Sequence, residues 1–218
     1  MFDVTLTFDN GPDPAVTPGV LETLEREEIA STFFVLGHKL ASDPACLEIA
    51  RSARDRGHWI GNHTYTHDIP LGKMADPTAS VAEIDRTQAL IDELSGPERL
   101  FRPFGGGGIL GHHLLSAAAL ARLKEREFTC VLWNVVPRDW EMHDTWPEIA
   151  MDMIAPLDWP LVVLHDLPTG AMAHLDRFIT MVRAAGGRFR QDFPPDCVPL
   201  RNGREVLPMD PFVTAHPG

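Results

Sequence analysis

No stretch of the 218-residue chain approaches the roughly 20 consecutive apolar residues that a membrane-spanning helix requires, and no basic segment followed by an apolar one opens it. The expectations are no membrane partner and a cytoplasmic location. Cysteine is scarce: Cys46, Cys130 and Cys197 are odd in number and widely spaced, which excludes a disulfide framework or a zinc ribbon and leaves buried structural thiols. Cations are scarce too, with 19 Lys and Arg against 31 Asp and Glu and a net charge of −12. A broad phosphate-binding surface needs the opposite balance, so nucleic acid is not an expected partner, and neutral or cationic ligands fit better. Internal repeats and low-complexity tracts are absent. What is present is an ordinary globular composition, 44% hydrophobic and 23% charged, over a length that suits one sizeable domain. Ten histidines stand out, since imidazole is the commonest metal ligand and the usual proton shuttle near neutral pH.

The pattern alternates β and α. Val4 to Phe8 is β-prone and ends on the turn cluster Asp9-Asn10-Gly11-Pro12; a helical period over Thr17 to Arg26 leads to an apolar strand, Thr32 to Leu36. The same alternation predicts helices over Ala45 to Arg56, Val81 to Leu94, Leu114 to Glu127 and Trp146 to Ile154. Each precedes a strand: Trp59 to His63, Leu100 to Arg102, Cys130 to Asn134 and Leu161 to Leu164. Such a series predicts an α/β fold with parallel strands in a closed or nearly closed barrel. Residues 191–218, rich in proline and poor in periodicity, are expected to be an extension packed on a domain of residues 1–190 or partly mobile.

Polar residues fall at the C-terminal ends of these strands: Asp9-Asn10, His63, Arg102, Asn134 and His165-Asp166. In a parallel barrel that is the end where the loops assemble an active site, so these residues are expected to converge. His63 and His67 form an H-x-x-x-H pair, which on a helical turn puts both imidazoles on one face, able to share a metal ion. Taken alone, the pair fits surface or hydrogen-bonded core histidines as well, and Asp9-Asn10 fits a plain turn. Together they offer two nitrogens and an oxygen, with positions left open for water and substrate.

The motifs around these residues carry a resemblance. Thr7-Phe8-Asp9-Asn10-Gly11-Pro12, the segments Thr32 to Gly37 and Gly57 to His63, the pair His63 and His67, Phe101-Arg102-Pro103-Phe104-Gly105, Asp139-Trp140 and Val163-Leu164-His165 stand in one order. In them the chain resembles the polysaccharide deacetylases of the NodB homology group, carbohydrate esterase family four, from about Val4 to about Gly187. The resemblance implies a distorted, incomplete (β/α) barrel of the NodB type. It implies a hydrolase that removes acetyl groups from N-acetylated sugars, chitooligosaccharide or peptidoglycan in type, with a divalent metal, zinc or else cobalt. The roles it implies are Asp9 as general base, Asn10, His63 and His67 as metal ligands, and His165 as general acid. Asp139, bridged by Arg102, would orient His165; a backbone N–H near Gly105 would stabilise the oxyanion; Trp140 and Leu164 would line the pocket for the acetyl methyl group.

Departures from the family pattern define the alternatives. Asn10 stands where the family has a metal-binding Asp, which removes a negative charge and keeps a carbonyl oxygen; metal affinity is expected to fall. Members acting on muramic acid residues are similar in carrying Asn there. Gly105 stands where the family has Tyr, within a run of four glycines, and Val163 replaces Leu. Asn10 also fits a hydrolase of a small amide, as in the allantoinase-like branch without the usual metal site. Asn10 and Gly105 together fit a catalytically weak carbohydrate-binding homologue.

Overall fold

A computed structural model describes residues 1–96 and 98–214. Its strands are β1 (Phe2–Asp9), β2 (Thr32–Val35), β3 (Trp59–Asn62), β4 (Arg99–Phe101), β5 (Phe128–Cys130), β6 (Leu161–His165), β7 (Gly187–Arg190), β8 (Leu200–Arg201) and β9 (Arg204–Glu205). Its helices are α1 (Thr17–Arg26), α2 (Gly37–Ser42), α3 (Pro44–Asp55), α4 (Pro77–Ile91), α5 (Ala117–Glu125), α6 (Trp146–Ile154) and α7 (Leu175–Ala184). The first six strands run parallel in the order β6-β1-β2-β3-β4-β5, and β7 joins the N-terminal half of β1.

The barrel is incomplete. Beyond β5 the sheet continues into the antiparallel β8 and β9, and between β5 and β6 a single isolated bridge among the described residues, Val135 to Val162, spans the gap. The strand expected over Cys130 to Asn134 is therefore displaced to Phe128–Cys130. The Val131 N–H still donates to the Phe101 carbonyl of β4, and from Leu132 onward the chain leaves the ladder, with the Leu132 N–H donating to the Cys197 carbonyl. Asn134 does not join the other polar residues: its side chain bonds the Trp159 carbonyl and the Leu161 N–H, at the start of β6 and away from the strand ends that carry the site.

Three helices begin at a capping carboxylate or hydroxyl. Asp43, Asp76 and Ser116 each accept a hydrogen bond from a first-turn N–H of α3, α4 and α5. Pro44 and Pro77 follow the first two caps, so α4 starts four residues before the expected Val81. Helices α2 and α7 and strand β7 are additions to the elements that the sequence pattern predicts.

Alternation along β1 and β6 divides the interior. Val4, Leu6, Phe8, Val162 and Leu164 point outward into one core with the helices, while Leu161 and Val163 belong to the other core, inside the sheet. Thr5, Thr7 and Asp9 share the inward side of β1 and are all buried. The three cysteines are free and buried. In the C-terminal segment, Thr214 Oγ1 lies 2.7 Å from the Gly72 carbonyl and 2.8 Å from the His112 carbonyl, within reach of either for its one proton. Residues 215–218 lie outside the described residues. No described helix is long and apolar enough to cross a membrane.

Candidate active site

The parallel register of β1 and β6 sets Asp9 beside His165, each the last residue of its strand. On the other side of β1, Asp9 is in register with Phe34, whose neighbour Val35 pairs with Asn62 at the end of β3. These ends, with the loops that follow, enclose a cleft of about 270 Å³ lined by Asp9, Asn10, His63, His67, Trp140 and His165 and by residues 103–108.

Asp9 and His165 each have an assigned partner. The Arg102 guanidinium is fully buried and donates from Nη1 to Asp9 Oδ1 at 2.8 Å and to Thr7 Oγ1 at 2.7 Å. Its other nitrogens bond the Val131 and Leu132 carbonyls, and its plane lies over the Phe34 ring. Arg102 thus serves Asp9; the expected bridge from Arg102 to Asp139 is not formed. Asp139, itself fully buried, instead accepts from His165 directly, Nδ1 to Oδ1 and backbone N–H to Oδ2, both at 2.8 Å. The dyad leaves His165 Nε2 on the cleft side. Burial alone would lower the His165 pKa, but the Asp139 hydrogen bond and charge, with Asp9 and Asp166 nearby, outweigh it and the net shift is upward.

The two other histidines are neutral. Burial holds His63 below its ordinary pKa against the pull of Asp9. Burial, then the neighbouring His63, His165 and His38, pushes His67 down to about 2. His63 Nδ1 contacts the Arg102 carbonyl at 2.8 Å, so Nδ1 carries the proton and Nε2 presents its lone pair, 3.5 Å from Asp9 Oδ2. The two rings lie 4.8 Å apart, and Phe104 packs on His67.

The pair is not brought together by a helical turn, as expected. Residues 63–68 are a loop with left-handed backbone at Thr64 (φ 70°) and His67 (φ 60°). For a β-branched residue such as Thr64 that conformation is strained by roughly 1–3 kcal/mol, and surrounding bonds must impose it. Asn62 Oδ1 accepts the Thr64 N–H at 3.0 Å. Glu83 on α4 accepts the Tyr65 and Thr66 N–H groups at 2.9 and 2.8 Å and the Thr66 hydroxyl at 3.1 Å. Sequence reasoning misses Glu83. A signal for it exists: it is a carboxylate on the buried side of α4, beside Ile84, Thr87 and Gln88.

Two further expectations are corrected. Leu164 does not line the cleft: the strand's period of two turns it outward into the helix core, and Val163 and Leu167 line the cleft instead. Asp166 also lies outside the cleft. It is fully buried behind Gly11, where a Cβ would collide with its carboxylate, and it accepts from Thr17 at the start of α1. Burial pushes its pKa up to about 7. Trp133, which the sequence pattern places merely in a strand, lines the cleft beside Gly105.

Among the described residues no three His, Cys, Asp or Glu side chains group to hold a metal. Asn10, whose side chain is an amide and so of another type, lines the same cleft as His63 and His67. Its Oδ1 is buried and without a hydrogen-bond partner, on a left-handed residue (φ 70°) that asparagine tolerates well. Buried polar atoms are almost always paired. An orphaned oxygen beside two neutral imidazoles on one cleft fits a divalent cation.

Comparison with known proteins agrees with this geometry. The family model for polysaccharide deacetylase matches residues 2–128. The chain belongs to the polysaccharide deacetylase family. A chitooligosaccharide deacetylase of Bradyrhizobium is 32% identical over 164 residues, 75% of this chain and 70% of that protein. The peptidoglycan-N-acetylglucosamine deacetylase PgdA of Listeria monocytogenes is 27% identical over 188 residues, 85% of this chain. This chain spans only 37% of the length of that relative. Among solved structures, the family 4 carbohydrate esterase of Streptomyces lividans, in complex with acetate, superposes with a TM-score of 0.72 at 26% identity, covering 95% of this chain and 98% of that one. The family's NodB-type barrel, with its parallel, unclosed sheet, is the architecture found here.

Proposed function

We propose that this chain hydrolyses the acetamido group of N-acetylated sugars of the chitooligosaccharide or peptidoglycan type, with a divalent metal, zinc or cobalt in its chemistry, held by His63, His67 and the Asn10 oxygen. The observation that carries the reading is the β1–β6 register, which sets the Arg102-bound carboxylate of Asp9 beside the Asp139-bound imidazole of His165 on one cleft. When bound, the metal would supply Lewis acidity toward the acetyl oxygen and make a bound water more acidic.

The chain's own residues account for the proton movements. Asp9, bonded by Arg102 through Oδ1, takes a proton from the water that adds to the acetyl carbon, Oδ2 being the oxygen not engaged by Arg102. A backbone N–H near Gly105 faces the developing oxyanion. His165, protonated and oriented by Asp139, delivers a proton from Nε2 to the sugar nitrogen as the C–N bond breaks, leaving acetate and a free amine. Trp140 meets the His165 ring edge-on at 4.7 Å and, with Val163, surrounds the acetyl methyl group. In this reading residues 1–190 are the catalytic unit and 191–218 an extension packed on it.

The test is acetate release from chitooligosaccharides and from peptidoglycan fragments, with zinc or cobalt added and again after chelation. Release that stops on chelation and returns with metal is expected; no release from either substrate overturns the proposal. Asn10 also favours a second reading, hydrolysis of a small amide without metal. Stoichiometric zinc whose removal abolishes activity would exclude it.

A further inference from the structure

The glycine run 105–108 forms one wall of the cleft, and its members are not equivalent. Gly106, Gly107 and Gly108 have left-handed backbone, whereas at Gly105 the constraint is space. A Cβ on Gly105 would lie 2.5 Å from Cζ2 and 2.7 Å from Cη2 of Trp133, far inside van der Waals contact. The indole cannot simply swing aside, because it is 6% exposed and its Nε1 donates to the Gly108 carbonyl at 2.8 Å. A second interlock follows, since a Cβ on Gly108 would meet Val136 Cγ1 at 2.8 Å. Loop 105–108 and segment 133–136 are thus fitted to each other, and both face the cleft with Trp140, Val163 and Leu167.

We infer that Trp133 and Gly105 are a matched pair that sets the size of the acyl group this cleft accepts. The indole fills the volume that a side chain on residue 105 would take, and it lines the cleft together with Val136, Val163 and Leu167. Groups larger than acetyl are excluded there by the ring rather than by the loop, whose glycines present only backbone. The inference rests on the proposed deacetylation, since it names the feature of that site which reads the acyl group.

The experiment compares kcat/KM on N-acetyl, N-propionyl and N-butyryl glucosamine oligomers for the parent, Trp133→Phe, Trp133→Ala, Gly105→Ala and the double variant Gly105→Ala/Trp133→Ala, with Tm recorded for each. Trp133→Ala should raise the propionyl-to-acetyl ratio about tenfold or more, the scale on which one methylene is discriminated in an apolar pocket, and Trp133→Phe should raise it less. Gly105→Ala should lose about tenfold in kcat/KM on the acetyl substrate and lower Tm, and removing the indole in the double variant should recover part of both. A ratio in Trp133→Ala within about twofold of the parent overturns the acyl-size role. A double variant as impaired as the product of the singles, in rate and in Tm, overturns the pairing. If the parent releases no acyl group from any of these sugars, the proposed function fails and takes the acyl-size role with it, and the Tm cycle alone then decides whether the pair is matched.

Discussion

The two sides of the cleft are finished to different degrees. On the β1–β6 side each charged group has a partner within the chain: Asp9 has Arg102, His165 has Asp139, and Arg102 has two further carbonyls and an aromatic face. Where the loop after β3 meets the residue that follows β1, His63 and His67 are shifted toward the neutral form, their loop is strained at Thr64, and the Asn10 oxygen is buried with nothing to bond. The difference teaches what each side is built for. Proton transfer needs groups whose charge and orientation are fixed before substrate arrives, and a self-contained set of ion pairs provides that. The proposed cation site needs lone pairs left unspent, and here Asn62 and Glu83 hold the loop that carries the two histidines.

If that contrast is right, the largest effects come from the finished side. Asp9→Ala and His165→Ala should each lower kcat for acetate release by roughly 10²–10⁴-fold while leaving zinc affinity, read by calorimetry, much less changed. Equal loss of zinc binding in both variants would erase the distinction between the two sides. Arg102→Met strands the buried Asp9 carboxylate, and urea unfolding should register a loss of about 3–5 kcal/mol. A change under about 1 kcal/mol would mean that water reaches Asp9 and that the pair is not a closed unit.

The unfinished side should respond first in metal binding. Asn10→Asp supplies the missing charge and should tighten zinc by roughly 10–100-fold in calorimetric titration. Unchanged affinity would show that residue 10 is no ligand. Glu83→Ala should weaken zinc by about tenfold through the loop alone, with Glu83→Gln, which keeps an acceptor, recovering part of it. The last effect concerns stability against pH. Asp166 has a folded pKa of about 7, above its ordinary 3.8, so the folded state holds more protons than the unfolded one between those values. Its contribution is complete below the unfolded pKa and is lost as pH rises toward 7. Asp166→Asn should flatten the fall in Tm across that window, and an unaltered slope would exclude Asp166 as its source.

Much of the cleft is legible in the sequence. Asp9, His63 and His165 fall at strand ends because apolar runs stopped by turn residues mark where a strand finishes, and a parallel barrel gathers those ends on one side. The same local reading fails where a residue's role depends on something distant in sequence. Asn134 follows an apolar run as the site residues do, yet Trp159 and Leu161 hold it elsewhere, and motif order ties Arg102 to Asp139 whereas the fold gives it to Asp9, 93 residues away. Glu83 and Trp133 escape such reading because a single carboxylate on a helix or a single indole says nothing about which loop it will meet.

The sequence by itself determined the β-α alternation of the first six strands, the family and the identity of the chemical groups, since periodicity, turn chemistry and motif order are properties of neighbours along the chain. The tertiary structure alone decided that Arg102 meets Asp9, that the His63–His67 pair is carried by a strained loop instead of a helix, and that Trp133 occupies the space a side chain on residue 105 would take. These are contacts between residues tens of positions apart, fixed by strand register and close packing, and no local pattern encodes them.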